Sequence, residues 1–396
     1  MRPISLSKSG INKIRSRQFE LKASDVEDPI KSLAPGEWCI AKLSPSDLWV
    51  CFVNPLVNEK YAAIQIITSL KLDDVNNFSP ELFITQKITE AFQKRLCFLG
   101  YEKNSRVFYG WSDGLPGLII DQFENASVIQ INTAGIDRYR DLIKQVMERI
   151  TNKSSYFLDN KKYREKESLP YYGPDIVPDL FVVENHLNYK LRSEVIQKIG
   201  FYFDHRENRH QLINFLSRLS KGYKKGVDLF SYVGAWGVCA LKAGLSEMHF
   251  VDQGDFGVEI SEALRLNNFE GRGTYHRMDV FKFLDEEFKK GNPYELVLCD
   301  PPAFAKSVLQ KSQALEGYSK LHRKVFKLVT NGGLACFSSC THYVSHEEFQ
   351  RNILDASQKE NRKIQLVYAG IQGFDHPINS QEDRSNYIKS YFYLVE

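Results

Sequence analysis

From about residue 184 the sequence alternates short apolar runs with segments of helical length, and this alternation restricts the fold more than any other feature. The runs have the length and composition of buried strands, and we expect strands at residues 226–230, 248–252, 274–279, 295–300 and 333–339. Strands that alternate with crossover helices form a mostly parallel sheet with helices on both faces. The sequence therefore predicts an α/β domain in this half of the chain.

Polar side chains recur where the predicted strands end. Four of the five runs carry an aspartate at or near that point (Asp228, Asp252, Asp279 and Asp300), and the fifth leads into Cys340. In open α/β sheets, ligands bind outside the carboxyl ends of the strands. These five side chains are therefore the candidate site.

The turn after the first strand reads "DLFSYVGAWG", residues 228–237. Its Gly234 and Gly237 let a ligand approach the backbone closely. Trp236 occupies the place where a dinucleotide pyrophosphate would need room, which favours a ligand without a diphosphate, such as S-adenosylmethionine. Asp252 could then accept hydrogen bonds from both ribose hydroxyls. Asp279 could hold the adenine amino group or could simply cap a helix.

The fourth strand ends in "CDPPAF", residues 299–304. Its two prolines stiffen the exit of the strand and fix the direction of the Asp300 side chain. The fifth strand ends in "SSCTH", where Cys340 is either a small hydrophobic residue or a nucleophile at the rim of the sheet. Cys299 precedes Asp300, so strand alternation turns it toward the other face, and we expect it in the core.

Composition narrows the class of protein. A chain of 396 residues is too long for one ordinary core, which favours two or three domains. Its seven cysteines are scattered without a CxxC pair, so we expect neither a disulfide framework nor a metal site. Neither a membrane-spanning run nor the h-region of a secretory signal is evident, and the expected location is the cytoplasm.

The first 183 residues predict a different architecture. Three strand-like runs between residues 37 and 68 indicate a small β-rich module, and a helix follows, with Ser79 as its cap and Pro80 at its first position. Two strands flank a Glu124-Asn125 turn, and we expect the charged segment 161–179 to be a linker. The predicted domains are 1–72, 73–183 and 184–396.

Two basic or aromatic segments are candidates for nucleic-acid contact. Although the net charge is only +3, residues 1–22 are locally basic, and Lys13, Arg15 and Arg17 could contact phosphates or lie in a solvated arm. In "FYFDHRENR", residues 201–209, the aromatic side chains could stack on bases, and the arginines could bind phosphate or the methionine carboxylate. The alternative for this second segment is a core edge with a salt-bridged helix start.

In order and spacing, "DLFSYVGAWG", "FVDQG", "MDVFKFL", "CDPPAF" and "SSCTH" resemble the motifs of class I S-adenosylmethionine-dependent methyltransferases. More narrowly, "GLPGLIIDQF", "FYFDHRENR" and "GFDHP" resemble the family of ribosomal RNA large-subunit methyltransferase I, over nearly the whole chain. The resemblance implies an N-terminal PUA domain that binds RNA, a central α/β domain and a Rossmann-like catalytic domain. Two positions depart from the family pattern: His205 replaces a usual Gln, and Ile199 a usual Thr.

The resemblance also implies roles for individual residues, with ribosomal RNA as the partner, no membrane partner and a homodimer as the oligomer to test. The residues expected at the cofactor are Asp228, Phe230, Ser231, Tyr232, Gly234, Asp252, Asp279, Asp300 and Arg206. The residues expected at the substrate are Phe201, Tyr202, Arg209, Pro301, Pro302, Phe304, Lys13, Arg15 and Arg17.

The reaction implied is methylation of cytosine C5, with Cys340 as the nucleophile at C6 and Asp300 at the N3 and N4 edge of the base. The group that removes the C5 proton stays open, and His342 is one candidate. Three alternatives remain: another target atom (uracil C5 or a guanine nitrogen), a dinucleotide-dependent oxidoreductase, and a non-catalytic RNA-binding protein.

Overall fold

A computed structural model describes residues 1–100, 103–196, 200–378 and 385–396. Ile199, one of the two departures from the family pattern, lies outside these residues. The chain divides into two compact units. The first is built on Met1–Leu180, and the second on Phe181–His376 together with the C-terminal strand.

The elements of the described residues are numbered in chain order. The strands are β1 (Arg2–Ser5), β2 (Glu20–Leu21), β3 (Glu37–Lys42), β4 (Leu48–Val53), β5 (Ile64–Leu70), β6 (Ser105–Tyr109), β7 (Leu118–Gln122), β8 (Ser127–Ile131), β9 (Ser155–Phe157), β10 (Leu180–Glu184), β11 (Leu187–Leu191), β12 (Lys225–Leu229), β13 (Glu247–Asp252), β14 (Gly273–Arg277), β15 (Tyr294–Cys299), β16 (Val329–Ser339), β17 (Ile364–Gly370) and β18 (Lys389–Val395). The α-helices are α1 (Lys8–Arg15), α2 (Pro80–Gln93), α3 (Ala134–Asp137), α4 (Arg140–Thr151), α5 (Lys161–Lys166), α6 (Ser193–Ile196), α7 (Arg206–Leu216), α8 (Ala235–Lys242), α9 (Gly257–Leu266), α10 (Val280–Lys290), α11 (Lys311–Leu328) and α12 (His346–Lys359).

The first unit contains two sheets. Five strands form the order β1-β3-β4-β5-β2, and four form the order β6-β7-β8-β9. The three strands expected between residues 37 and 68 are confirmed as β3, β4 and β5. Trp38 on β3 donates from Nε1 to the Gly135 carbonyl at 3.0 Å and packs in one core with helix α2 and the second sheet. The PUA assignment and the boundary at residue 72 stay predictions.

Two local predictions in the first unit, the capped helix and the turn between two strands, are confirmed. Ser79 Oγ accepts a hydrogen bond from Leu82 N at 3.2 Å, and Pro80 opens helix α2. Ile84 and Ile88, on the apolar stripe of that helix, are buried. Strands β7 and β8 flank the Glu124-Asn125 turn as expected.

The prediction that residues 161–179 form a linker is wrong for their first part. Residues 161–166 form helix α5, and Arg164 on it is fully buried. Its guanidinium pairs with Asp137 at 2.8 Å and with Asp159 at 3.3 Å. Arg164 therefore belongs to an internal ion-pair cluster, whereas the other charged residues of α5 are exposed.

The second unit is built on a seven-stranded sheet in the order β14-β13-β12-β15-β16-β18-β17. Strands β12 to β16 pair in parallel, and β18 is antiparallel to both of its neighbours. The five predicted strands are confirmed to within a few residues at their ends, whereas β17 and β18 were not predicted. The parallel part brings the ends of β12, β13, β15 and β16 to one edge of the sheet.

No helix in the described part of the chain is long and apolar enough to cross a membrane.

Candidate active site

A cavity of about 400 Å³ opens at this edge of the second unit. Its size lies within the usual range for small-molecule sites. The predicted site residues that line it are Phe201, Tyr202, Arg209, Phe230, Ser231, Tyr232, Asp252, Asp300, Pro301, Pro302 and Cys340.

The loop between β12 and α8 has an unusual backbone. Phe230, Tyr232 and Gly234 adopt φ angles of 61°, 48° and 80°, in the left-handed region. For residues with a side chain this conformation costs about 1–3 kcal/mol each, and it persists where the surroundings hold it. Tyr232 OH donates to the Gly200 carbonyl at 2.7 Å, and Tyr232 N donates to Asp252 Oδ2 at 3.1 Å. The loop is therefore fixed by contacts at both ends of Tyr232.

Asp228 and Gly234 lie behind the lining of the cavity rather than on it. Asp228 Oδ2 accepts from Gly237 N at 2.9 Å, so the carboxylate ties β12 to the start of α8. Burial raises the pKa of Asp228 well above its ordinary value. A Cβ on Gly237 would stand 2.3 Å from the Phe250 ring, so this glycine serves close packing of helix on strand.

The Asp252 carboxylate is held in place at the end of β13. Oδ1 accepts from Gly254 N at 2.8 Å, and Oδ2 accepts from Tyr232 N. Tyr232 and Phe256 meet edge to face beside it, with ring centroids 4.8 Å apart. A carboxylate beside aromatic rings suits a ribose and its base.

Asp279 is exposed and caps helix α10 by accepting from Lys282 N at 3.0 Å. It does not line the cavity. This position agrees with the alternative prediction that Asp279 caps a helix.

Asp300, directly after β15, is approached by two ring nitrogens. Its Oδ2 accepts from Trp236 Nε1 at 3.1 Å and lies 3.4 Å from His205 Nε2. Phe304, four residues on, stacks on Tyr318 with centroids 4.6 Å apart and does not line the cavity.

Cys340 lines the same cavity at the exit of β16 and is partly exposed. Burial, together with the nearby carboxylates of Asp300 and Asp204, raises the pKa of its thiol to about 12. The thiol is therefore protonated in the free protein at neutral pH.

The turn that carries Cys340 is held from both sides. Tyr318 OH is hydrogen-bonded to Ser339 Oγ at 2.9 Å and to Thr341 Oγ1 at 2.8 Å. Lys389 Nζ donates to the carbonyls of Thr341 and Tyr387, each at 2.9 Å. Burial lowers the pKa of Lys389 to about 8. The residues flanking the thiol thus have little freedom to move.

The residues present fit S-adenosylmethionine. Ser231 Oγ is buried in the loop without a hydrogen-bond partner among the described residues, as expected of a group that a ligand satisfies. Asp252 and the adjoining rings suit the nucleoside part. No cluster of metal-ligating side chains occurs in the residues that the structure describes.

Comparison with known proteins decides the family. The sequence model of the family described as S-adenosylmethionine-dependent methyltransferase matches residues 137–352, more than half of the chain. The chain belongs to this methyltransferase family. The dinucleotide-dependent oxidoreductase is thereby set aside, and S-adenosylmethionine is the cofactor.

Curated relatives of the methyltransferase share most of its length. Proteins named ribosomal RNA large subunit methyltransferase I from Aeromonas salmonicida and Aeromonas hydrophila are 31% and 32% identical, each over 80% of both chains. The family resemblance seen in the motifs is confirmed.

Solved structures show the same fold. An S-adenosylmethionine-dependent methyltransferase from Streptococcus mutans aligns over 99% of this chain and 100% of its own, with a TM-score of 0.74 and 18% identity. A methyltransferase complexed with S-adenosylhomocysteine aligns over the same shares, with a TM-score of 0.77 and 18% identity.

The arginines of "FYFDHRENR" serve the fold of the methyltransferase. Arg209 binds Glu184 through two hydrogen bonds, of 2.6 and 2.9 Å, and Arg206 reaches the same carboxylate at 3.3 Å. Arg209 borders the cavity, whereas Arg206 does not. A carboxylate from within the chain already partners both guanidinium groups, which favours the salt-bridged alternative over a contact with the cofactor.

The two aromatic residues predicted to contact the substrate, Phe201 and Tyr202, differ in exposure. Phe201 is buried and packs on Tyr189 and Phe203, so its ring faces are covered. Tyr202 is 38% exposed and remains available for stacking on a base.

The predicted basic contacts of the methyltransferase lie in its first unit. Lys13 on α1 pairs with Asp25 at 2.6 Å, while Arg15 and Arg17 are exposed. Of the three, the arginines are therefore better placed for phosphate contact.

No site role was predicted from the sequence for four residues that lie near the candidate site: Trp236, His205, Phe256 and Lys389. The first three line the cavity, and Lys389 pairs across the sheet with Ser339, next to Cys340. Two of them carried a sequence signal: His205 as a departure from the family pattern, and Trp236 by its place in the turn after the first predicted strand. Candidate base His342 is exposed and stacks on Tyr387, at a centroid distance of 5.2 Å.

Proposed function

We propose that this methyltransferase modifies C5 of a cytosine in large-subunit ribosomal RNA through a covalent bond between Cys340 Sγ and C6. The observation that carries the proposal is that a thiol and a carboxylate, Cys340 and Asp300, line one cavity at the ends of adjacent parallel strands. The names of the curated relatives support ribosomal RNA as the substrate.

Cytosine C5 is a weak nucleophile, which is why the reaction needs covalent activation. The sulfur of Cys340 forms a bond to C6, and the electrons of the C5–C6 double bond make C5 nucleophilic. S-adenosylmethionine supplies the methyl group from a positively charged sulfur. Loss of the C5 proton and departure of the Cys340 thiolate restore the double bond. A nitrogen target would not need the thiol.

Asp300 acts on the opposite edge of the base. Its carboxylate accepts a hydrogen bond from the N4 amino group, and from N3 once N3 carries a proton. These contacts orient the ring and stabilise the adduct as charge develops. Both prolines after Asp300 line the cavity and confine the space into which the base enters.

The thiol must lose its proton despite a pKa of about 12. The buried ammonium of Lys389 acts against burial by lowering the pKa of Cys340. It also anchors the carbonyl of Thr341, the next residue along the chain. Lys389 therefore supports both the position and the charge of the attacking sulfur.

The first unit would bind RNA outside the catalytic cavity. We assign residues 1–72 to a PUA-like domain, 73–183 to a central domain and 184–396 to the catalytic domain. Arg15 and Arg17 supply exposed positive charge in the first of these. A ribosomal RNA substrate supports a cytoplasmic location, and a homodimer stays a prediction.

Trapping of the covalent intermediate tests the proposal. Wild type and Cys340→Ala are incubated with S-adenosylmethionine and large-subunit ribosomal RNA transcripts containing 5-fluorocytidine, whose C5–F bond blocks the elimination step. We expect a covalent RNA–protein adduct on a denaturing gel for wild type only. Cys336→Ala, which alters a buried thiol on the same strand, is the matched control and should still form the adduct.

An adduct with 5-fluorouridine transcripts instead would move the target to uracil C5. Methyl transfer to unmodified RNA without any adduct would exclude the covalent route. It would also make Cys340 an ordinary strand-end residue.

A further inference from the structure

His205 immediately precedes helix α7, is buried and lines the cavity. Its Nε2 lies 3.4 Å from Asp300 Oδ2, the oxygen that also accepts from Trp236 Nε1 at 3.1 Å. Both neighbours therefore approach the same oxygen of the carboxylate. Among the described residues, no side-chain donor is seen at Asp300 Oδ1, which leaves that oxygen for a ligand.

Asn208 fixes which nitrogen of His205 carries the proton. Asn208 Nδ2 lies 3.0 Å from the Ile371 carbonyl, and Asn208 Oδ1 accepts from Tyr368 OH at 2.9 Å. A carbonyl can only accept, so the amide orientation is determined. The NH₂ group is also 3.3 Å from His205 Nδ1. Because this group only donates, Nδ1 must be unprotonated, and the proton of a neutral ring is on Nε2.

Asn208 is packed closely against the end of β17. A Cβ on Gly370 would stand 2.0 Å from Asn208 Oδ1, so a residue without a side chain is needed there. Asn208 itself is fully buried on helix α7. The contacts of α7 with the end of β17 and the following turn thus direct the NH₂ group of Asn208 toward His205 Nδ1.

We infer that His205, as the neutral tautomer with the proton on Nε2, is a positioning residue that aims Asp300 Oδ1 at the amino edge of the target base. The inference rests on the proposed function, because that function places the base at Asp300. At 3.4 Å the contact is longer than a full hydrogen bond. Contacts of this kind often tighten only when the substrate binds.

The inferred roles of the ring nitrogens, with Nδ1 as acceptor and Nε2 as donor, indicate a conservative replacement. In His205→Gln, the side-chain carbonyl can accept from Asn208 while the amide NH₂ donates toward Asp300. In His205→Leu, a side chain of similar bulk provides neither. Comparison of the two variants therefore separates loss of the hydrogen-bond donor from a change in side-chain volume.

Nuclear magnetic resonance of the histidine rings tests the tautomer without any substrate. In full-length protein labelled with ¹⁵N-histidine at pH 8.5, long-range ¹⁵N–¹H correlations distinguish protonated from unprotonated ring nitrogens. His205→Gln assigns the His205 signals by their disappearance. We expect protonated Nε2 and unprotonated Nδ1. A protonated Nδ1 would overturn the inference, whatever the RNA experiments show.

Kinetics test the positioning role. We expect His205→Leu to lower kcat by at least about tenfold, as loss of a hydrogen bond to a charged group does. His205→Gln should restore most of it. Binding of S-adenosylmethionine by calorimetry should change less than about twofold in both variants, since that part of the cavity is untouched.

Equal activity of His205→Leu and wild type would overturn the inference, as would a His205→Gln variant as impaired as His205→Leu. Both variants should melt near the wild-type temperature. If wild type itself forms no adduct with 5-fluorocytidine RNA, the proposed function fails, while the ring measurement still decides the tautomer.

Discussion

At the scale of single residues, the cavity places a thiol, Cys340, and a carboxylate, Asp300, at adjacent strand ends, and the surroundings of the thiol oppose its proposed role as a nucleophile. Burial and two carboxylates raise the pKa of Cys340, whereas reactive cysteines commonly have a lowered one. The free protein thus protects its thiol from oxidation and alkylation. The proposed mechanism therefore requires that the thiol is activated when the substrate and the cofactor bind.

Alkylation of Cys340 by iodoacetamide should therefore be slow at neutral pH and steeply pH-dependent. Since the thiolate is the reactive form, the rate should rise about tenfold per pH unit up to pH 10, without a plateau, for a thiol whose pKa is about 12. Mass spectrometry of the modified peptide gives the rate, and the exposed Cys97 is an internal reference. A plateau near pH 8.5, the ordinary value for cysteine, would contradict the result expected from its burial.

At the scale of elements, helix α7 is held by a buried cluster. Glu184 on β10 accepts from Arg209 and Arg206, and it is only 3% exposed. Breaking a buried ion pair by removing one partner leaves an uncompensated charge and costs more than the pair contributes. The cluster thus holds in place the helix that follows His205.

Replacement Glu184→Gln should lower the free energy of unfolding by about 3–5 kcal/mol, because two buried guanidinium groups lose their carboxylate. Urea unfolding of both proteins measures this change. Glu262→Gln removes the same group from a surface pair with Arg265 and should cost less than about 1 kcal/mol. Equal losses for the two variants would show that the Glu184 cluster is not energetically special.

The elements also show what sequence could and could not predict. The strand from Lys225 and the capped helix from Pro80 follow from local patterns, and both were found. The burial of Arg164 was not predicted because one of its partners, Asp137, lies 27 residues away, and nothing in the local sequence shows that it pairs with Asp159. The tautomer inferred for His205 depends on Ile371 and Tyr368, more than 160 residues away, so no local pattern encodes it.

At the scale of the whole molecule, the chain divides into two compact units. The second contains the cavity, and the first contains the exposed arginines at the end of α1. With a net charge of only +3, binding to RNA has to rely on local basic patches rather than on the overall charge.

Charge reversal in the first unit should weaken RNA binding in a salt-dependent way. If Arg15 and Arg17 each contact a phosphate, Arg15→Glu with Arg17→Glu should lower the slope of log affinity against log salt by about 1.4, at about 0.7 per contact on single strands. Filter binding at several salt concentrations measures the slope.

The double variant Lys31→Glu with Lys71→Glu changes the net charge equally at exposed positions of the same unit. It should leave the slope near the wild-type value. Equal slopes for the two double variants would assign the effect to overall charge rather than to the α1 arginines.

The placement of β18 between β16 and β17 has a consequence for how the protein is made. Strand β16, which leads into Cys340, gains its second neighbour only when Lys389–Val395 has been synthesised, about fifty residues after Ser339. The same strand brings Lys389, which holds the Thr341 carbonyl. During translation, the proposed nucleophile therefore follows a strand that still lies at an open edge of the sheet. Catalytic competence arises late, when the nascent chain closes the sheet around it.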